Sequence, residues 1–229
     1  MIVLLAGMPR SGSTFSFNVV REVLCRRGRI HCETCEDVLG AVHRSNGAEH
    51  VLVKAHKFDP PALELARAGA LRIIMTTRRV EDAMASWLEA FDTLPEEVML
   101  QVMRDWLGLY QQLRAYSKIV SYREIDSRPW LAAWRIARAV CPAIGPVEVI
   151  EIARRFRKAE VQRQTAKITL GAPGVMDVGF SHYDTATYFH RRHVSRLRSR
   201  PAEERLATDQ LARVRDALAA DVRAAGLAS

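Results

Sequence analysis

The stretch Leu4–Phe17, "LLAGMPRSGSTFSF", decides how this chain is read. A short apolar run ends at Gly7, four residues separate it from Gly12, and Ser13 and Thr14 open a run whose apolar residues recur at helical spacing. A G-x-x-x-x-G spacing between strand and helix is the frame of a phosphate-binding loop, where unpaired amides and the helix dipole attract an anion. Loops that hold nucleoside triphosphates place a lysine directly after the second glycine. Here Ser13 stands at that position, and the cation, Arg10, lies inside the loop. Taken alone, the same residues would also suit a plain turn with a serine capping a helix.

Working outward, "IVLLA" before the loop is a continuous apolar run of strand length, suited to a parallel strand buried on both faces. "TFSFNVVREVLCRRG" reads as the following helix, with Gly28 as its stop. "HVLVKAH" (50–56) is read as the second strand and "LRIIMTT" (71–77) as the third, separated by a helix that Asp59 caps and Pro60 and Pro61 begin. "VEDAMASWLEAF" (80–91) and "PEEVMLQVMRDWLGLYQQLRAY" (95–116) carry amphipathic helical patterns, and "KIVSY" (118–122) reads as a fourth strand before a helical region reaching about Lys158. Strands alternating with helices predict an α/β fold: a parallel β-sheet with helices on both faces, in three α/β/α layers. The whole chain, 1–229, reads as one domain. Residues 165–193 are glycine-dotted and aromatic without clear period, and form a candidate lid. A C-terminal helix follows, with Leu211, Val214, Leu218 and Val222 on one face.

Composition narrows the functional classes. Of 229 residues, 48% are hydrophobic and 26% charged, ordinary values for a globular chain. A net charge of +8 favours an anionic partner. No run approaches the ~20 apolar residues of a membrane helix, so no membrane span is expected. The opening "MIVLLAG" lacks the basic region of a signal peptide, and a cytoplasmic location is expected. Cys25, Cys32, Cys35 and Cys141 include one C-x-x-C, but no second ligand pair follows at zinc spacing; reduced thiols are the expectation.

Three segments carry the chemistry. Ser11, Gly12, Ser13 and Thr14 would donate to a phosphate at the helix start. In "VLVKAHKF", Lys54 and His56 are two apart on a strand and face the same way near its carboxyl end, placing a cation and a general base at the mouth of a parallel-sheet site. In "TTRRVEDAMAS", Arg78 offers a fork of donors to a phosphate, and Ser86 lies about two turns into the next helix; pairing of Arg78 with Glu81 or Asp82 is the competing reading.

Together these residues resemble sulfotransferases that use 3′-phosphoadenosine-5′-phosphosulfate (PAPS), of the bacterial, cytosolic type with a P-loop-like fold. "PRSGSTF" is similar to that family's 5′-phosphosulfate loop, with Arg10 on its basic position and Phe15 on its aromatic one. "KAH" resembles its Lys-Thr-His segment, which implies a catalytic base at His56 and a catalytic lysine at Lys54. "RRVEDAMAS" resembles its 3′-phosphate motif, with Arg79 and Val80 in place of the usual Asn-Pro; this implies phosphate contacts from Arg78 and Ser86. "VSYREID" is similar to a strand that brings Tyr122 near the adenosine, and "TATYFHRRHVS" to a late basic segment where Arg192 and His193 meet the nucleotide. The resemblance covers the first half well and the second half poorly. It implies PAPS as donor, 3′,5′-adenosine bisphosphate (PAP) as product, Arg10 beside the departing sulfuryl group, no required metal, and a small-molecule or carbohydrate acceptor carrying a hydroxyl or amine.

The alternatives are a P-loop nucleotide-dependent kinase and a basic nucleic-acid-binding protein. The kinase predicts a loop lysine and an acid ending the third strand, and neither is present. For the binder, tracts such as "RRFRK" supply charge, but aromatics are only 7% and no binding module appears, so no nucleic-acid partner is expected.

Overall fold

The structure, a computed structural model, describes residues 1–57, 59–91, 94–179, 181–191, 194 and 199–227. At its centre, β1 (Ile2–Leu5), β2 (Ile30–Thr34), β3 (His50–Lys54), β4 (Leu71–Thr77) and β5 (Ser117–Ser121) form one sheet in the order β2-β3-β1-β4-β5. Every pairing is parallel, with Leu5 level with Lys54 on one side and Ile74 on the other. Parallel neighbours need crossovers, and the intervening helices cover both faces.

Alternation along the strands builds two cores. Leu4, Val51, Val53, Ile73 and Met75 pack on one face against α2 (Val38–Arg44), α3 (Pro60–Arg67), α4 (Val80–Ala90), α5 (Glu96–Leu113) and α10 (Thr208–Ala225). Val3, Leu5, Leu52 and Ile74 pack on the other against α1 (Ser13–Cys25), α7 (Pro129–Val140) and α8 (Pro146–Arg155), with α9 (Lys158–Thr165) beside them. Each fully buried aliphatic side chain contributes roughly 1.5–3 kcal/mol, so the central strands are the most strongly fixed part of the molecule. Trp106 of α5 is fully buried and donates its indole N–H to the Ala6 carbonyl at 3.0 Å, anchoring the chain where β1 runs into the loop.

The expected three-layer α/β/α architecture is present, with differences at the edges. Residues 30–44 hold an unanticipated strand and helix, β2 and α2. "IHCET" pairs only with β3 at the sheet edge, so His31 and Glu33 are tolerated and the apolar signal of a central strand is missing. Helix α1 ends at Cys25, before Gly28. Tyr122 does not close a strand: Ser121 accepts a hydrogen bond from Glu124 N at 3.2 Å and caps a short helix, α6 (Tyr122–Ser127), that Tyr122 opens. Asp59 occupies its cap position without a side-chain bond to α3; its Oδ2 accepts from Val38 N at 3.0 Å and ties α2 down instead. The irregular stretch contains an antiparallel hairpin, β6 (Val175–Asp177) and β7 (His182–Asp184). Among the described residues no helix is long and apolar enough to cross a membrane.

Candidate active site

Because β1 lies between β3 and β4, the segments leaving these three strands are neighbours at one end of the sheet. All three chemical segments of the sequence leave there, where ligands of open parallel sheets bind. They line one cavity of about 790 Å³ that includes Arg10, Gly12, Ser13, Thr14, Phe15, Lys54, His56, Arg78, Ser86 and Tyr122.

The loop after β1 is tightly shaped. A Cβ on Gly7 would stand 2.4 Å from both Ser13 Cβ and Thr76 Oγ1, so only glycine lets the strand pass the helix start this closely. Arg10 and Gly12 adopt left-handed backbone, with φ of 60° and 89°, and Gly12 precedes the first residue of α1. The first-turn amides of Ser13, Thr14 and Phe15 have no partner within the helix and form an anion site at its positive end. Ser11 is different: it is fully buried, its N–H bonds the Met8 carbonyl at 3.2 Å, and its hydroxyl bonds Met8 O at 2.6 Å and Thr76 Oγ1 at 2.6 Å. Ser11 therefore fastens the loop to β4 and presents no donor to the cavity.

Lys54 ends β3 and is buried, with Nζ 3.2 Å from Thr14 Oγ1. Burial and then the charge of Arg10 lower its pKa to about 8. His56 follows two residues later, with Nδ1 2.6 Å from the Gly7 carbonyl. A carbonyl only accepts, so Nδ1 carries the proton and Nε2 keeps its lone pair. Burial and the Lys54 charge outweigh the Gly7 bond and lower the imidazole pKa to about 4. The ring is thus held neutral beside the Lys54 cation, in the tautomer a general base needs.

The third segment joins the first. Arg10 Nε donates to Ser86 Oγ at 3.3 Å, and an Arg78 guanidinium N–H donates to the Arg10 carbonyl at 3.0 Å. Arg78 lies over the Tyr122 ring at 4.1 Å, while its buried Nε has no hydrogen-bond partner among the described residues. Burial lowers its pKa, and burial with the neighbouring Arg78 lowers that of Arg10 to about 10. The competing pairings go elsewhere: Arg79 takes Glu81 at 3.2 Å, and Asp82 accepts from Ala202 N at 2.7 Å. Arg192 and His193 lie outside the described residues.

Several lining residues had no signature in the sequence. Tyr122 Oη and Lys158 Nζ each reach Ser199 Oγ at 3.0 Å, and Lys158 also pairs with Asp126, so the Tyr122 side is closed by a polar network drawn from distant segments. Glu89 is held by Arg205 through two bonds of 3.0 and 2.8 Å. The rest of the lining is mixed and includes the rings of Trp87, Phe91, Phe156, Tyr183, Tyr188 and His190. With no motif of their own, residues 30–50, the helix after Phe91 and the 165–193 stretch are the segments the sequence leaves for an acceptor wall. Among the described residues the first supplies only Thr34 and α5 supplies none; the end of α4 takes its place, while the last stretch contributes as expected. The one available signal was the density of rings in "HYDTATYFH".

The four cysteines are free thiols, and among the described residues no group of His, Cys, Asp or Glu is placed to hold a metal. No family model matches the chain, and no curated protein matches its sequence. Solved structures do match it, and three of them hold PAP. Retinol dehydratase with androsterone and inactive cofactor PAP aligns at a TM-score of 0.63 and 10% identity, over 97% of this chain and 80% of that one. The same enzyme with retinol and PAP aligns at 0.61 and 10%, over 97% and 81%. Mouse sulfotransferase SULT7A1 with PAP aligns at 0.65 and 12%, over 97% and 84%. At such identities the likeness establishes a shared fold.

Proposed function

We propose that the protein is a cytoplasmic sulfotransferase that moves a sulfuryl group from PAPS to a hydroxyl or amine of a small-molecule or glycan acceptor and releases PAP. The observation that carries the reading is His56: its 2.6 Å bond to the Gly7 carbonyl ties the base to the loop that would hold the 5′-phosphosulfate, and leaves Nε2 as the basic nitrogen.

The residues fit the donor. The first-turn amides of α1 meet the 5′-phosphate, Arg78 and Ser86 meet the 3′-phosphate, and the Tyr122 ring borders the nucleotide; the buried Nε of Arg78, without a partner among the described residues, is a donor that a phosphate oxygen would satisfy. His56 Nε2 takes the acceptor proton during in-line transfer. Lys54 and Arg10 stabilise the negative charge that develops on the bridging oxygen as the sulfur–oxygen bond breaks, so no metal enters the scheme. Residues 165–193 serve as a lid on the same single domain. A kinase remains disfavoured because Ser13 fills the lysine position and β4 ends in Thr76 and Thr77.

The test uses purified protein, PAPS and an acceptor panel, with EDTA present and sulfated products read by mass spectrometry. His56→Ala should keep PAP affinity and lose transfer by ~10²–10⁴. Full activity in that variant would remove His56 as the base; no sulfated product from any acceptor, with tight binding of ATP–magnesium instead of PAP, would favour the kinase.

A further inference from the structure

Helices α7 and α8 cover one side of the sheet, and their outer surface takes no part in the proposed reaction. The short connection at residues 141–145 makes them an antiparallel pair lying side by side. Their inner positions, Ala133 and Ile136 of α7 and Val149 and Ile152 of α8, are buried in one core.

Ion pairs fix how each helix is turned. Glu148 and Glu151 of α8 take Arg27 and Arg26, which follow α1, and Arg155 takes Glu22 of α1, leaving the flank with Ile150 toward α7. Arg135 of α7 pairs with Glu124 of α6 and donates to the Ile119 carbonyl of β5 at 3.2 Å, leaving the flank with Trp130 and Trp134 toward α8. Two outward stripes result: Trp130, Trp134 and Arg138 at four-residue spacing on α7, and Val147, Ile150 and Arg154 at spacings of three and four on α8. Trp130 is 58% exposed, Val147 70% and Ile150 41%. Single exposed apolar residues are ordinary, but these share one face of one helix pair.

The charges on this face lack partners. Every acid from α6 to α9 is already taken: Glu124 by Arg135, Asp126 by Lys158, Glu148 and Glu151 by Arg27 and Arg26, and Glu160 by Arg163. Arg128, Arg138, Arg154 and Arg157 are exposed and meet no carboxylate among the described residues. The Arg138 guanidinium lies 5.5 Å from the Trp134 ring centroid, on the outer side of α7. Unmatched arginines around exposed apolar side chains complement a partner that carries anions above an apolar layer. A nucleic-acid backbone supplies the anions but leaves Val147 and Ile150 in water. Lipid phosphates over acyl chains answer both sets of residues, and an indole suits their boundary.

We propose that the outer face of α7 and α8 docks the protein on an anionic lipid surface, with Trp130, Val147 and Ile150 at the headgroup–acyl boundary and Arg138 and Arg154 on the lipid phosphates. The docking is independent of the sulfotransferase reading, although Pro129, directly before Trp130, lines the cavity.

The test sediments the full chain with sucrose-loaded phosphatidylcholine vesicles, with and without phosphatidylserine. The wild type should sediment with the phosphatidylserine vesicles alone, with a blue shift of tryptophan emission and quenching by brominated lipid. Trp130→Ser combined with Val147→Ser should weaken binding by ~10-fold or more. Arg138→Gln and Arg154→Gln should each weaken it by ~5-fold. All these positions are exposed, so melting temperature and PAP affinity should match the wild type. No sedimentation with phosphatidylserine vesicles overturns the proposal, and so does wild-type binding in the Trp130/Val147 variant, which would mean charge attraction without this face. A wild-type dimer that the same variant abolishes, without vesicle binding, would give the face to a second copy. Duplex DNA binding that only the arginine variants lose, again without vesicle binding, would give it to nucleic acid; either result overturns the lipid assignment.

Discussion

The sharpest prediction concerns Arg78. Its guanidinium makes one bond to the Arg10 carbonyl at 3.0 Å and lies 4.1 Å over Tyr122, and its buried Nε lacks a partner among the described residues. A 3′-phosphate would give that Nε a charge-assisted bond of roughly 1.5–3 kcal/mol. Since 1.4 kcal/mol is tenfold in affinity, Arg78→Met should weaken PAP by about 10–150-fold. Adenosine 5′-monophosphate lacks the 3′-phosphate and should lose less than about 3-fold, through loosening of the loop at Arg10. Methionine keeps an apolar stem over Tyr122, and removing the unpaired donor offsets part of the lost bond, so the ligand-free melting temperature should change little. Isothermal titration of both nucleotides with both proteins gives the ratio directly. Equal losses for the two ligands would refute the 3′-phosphate role, because a general disturbance of the loop acts on both alike.

Two further predictions are independent of catalysis. His56 and His190 have folded pKa values lowered to about 4 from 6.5, so between these limits the unfolded chain takes up more protons and stability falls as the pH drops. Urea unfolding from pH 7.5 to 5 should show this loss, and His190→Phe should reduce the slope; a flat profile would place both rings in a wetter setting than the fold implies. Gly7→Ala puts a methyl 2.4 Å from Ser13 Cβ and Thr76 Oγ1, which should cost about 1–3 kcal/mol and abolish PAP binding. An unaffected melting temperature and affinity would mean the loop can open without harm.

What the sequence disclosed follows from where each element sits. Strands β1, β3 and β4 are buried on both faces, so their apolar runs were unmistakable, and "LRIIMTT" coincides with β4 from Leu71 to Thr77. β2 lies at the edge with half-exposed His31 and Cys32, and its polar character hid it. The loop, Lys54, His56, Arg78 and Ser86 were legible because backbone geometry fixes their spacing locally. Ser199 and Arg205 were not, since they reach the cavity through tertiary packing of segments that carry no period of their own. Ser11 shows the converse: its position suggested a phosphate donor, and packing against Thr76 spends both of its donors on the loop.

The missing loop lysine can now be understood as a matter of charge density. Arg10, Lys54 and Arg78 already share one cavity; burial and then Arg78 lower the pKa of Arg10 to about 10, and burial and then Arg10 lower that of Lys54 to about 8. A lysine at Ser13 would add a further cation beside these three, at a helix start whose dipole is itself positive. Arg10 instead reaches across to Ser86 and carries Arg78 on its carbonyl, so the proposed 5′- and 3′-phosphate sites share one hydrogen-bonded link. An anion binding at either end must rearrange or tighten that link and so changes the other. On the proposed function, a ligand with phosphates at both ends would gain from both, which would favour a 3′,5′-substituted nucleotide over a linear triphosphate.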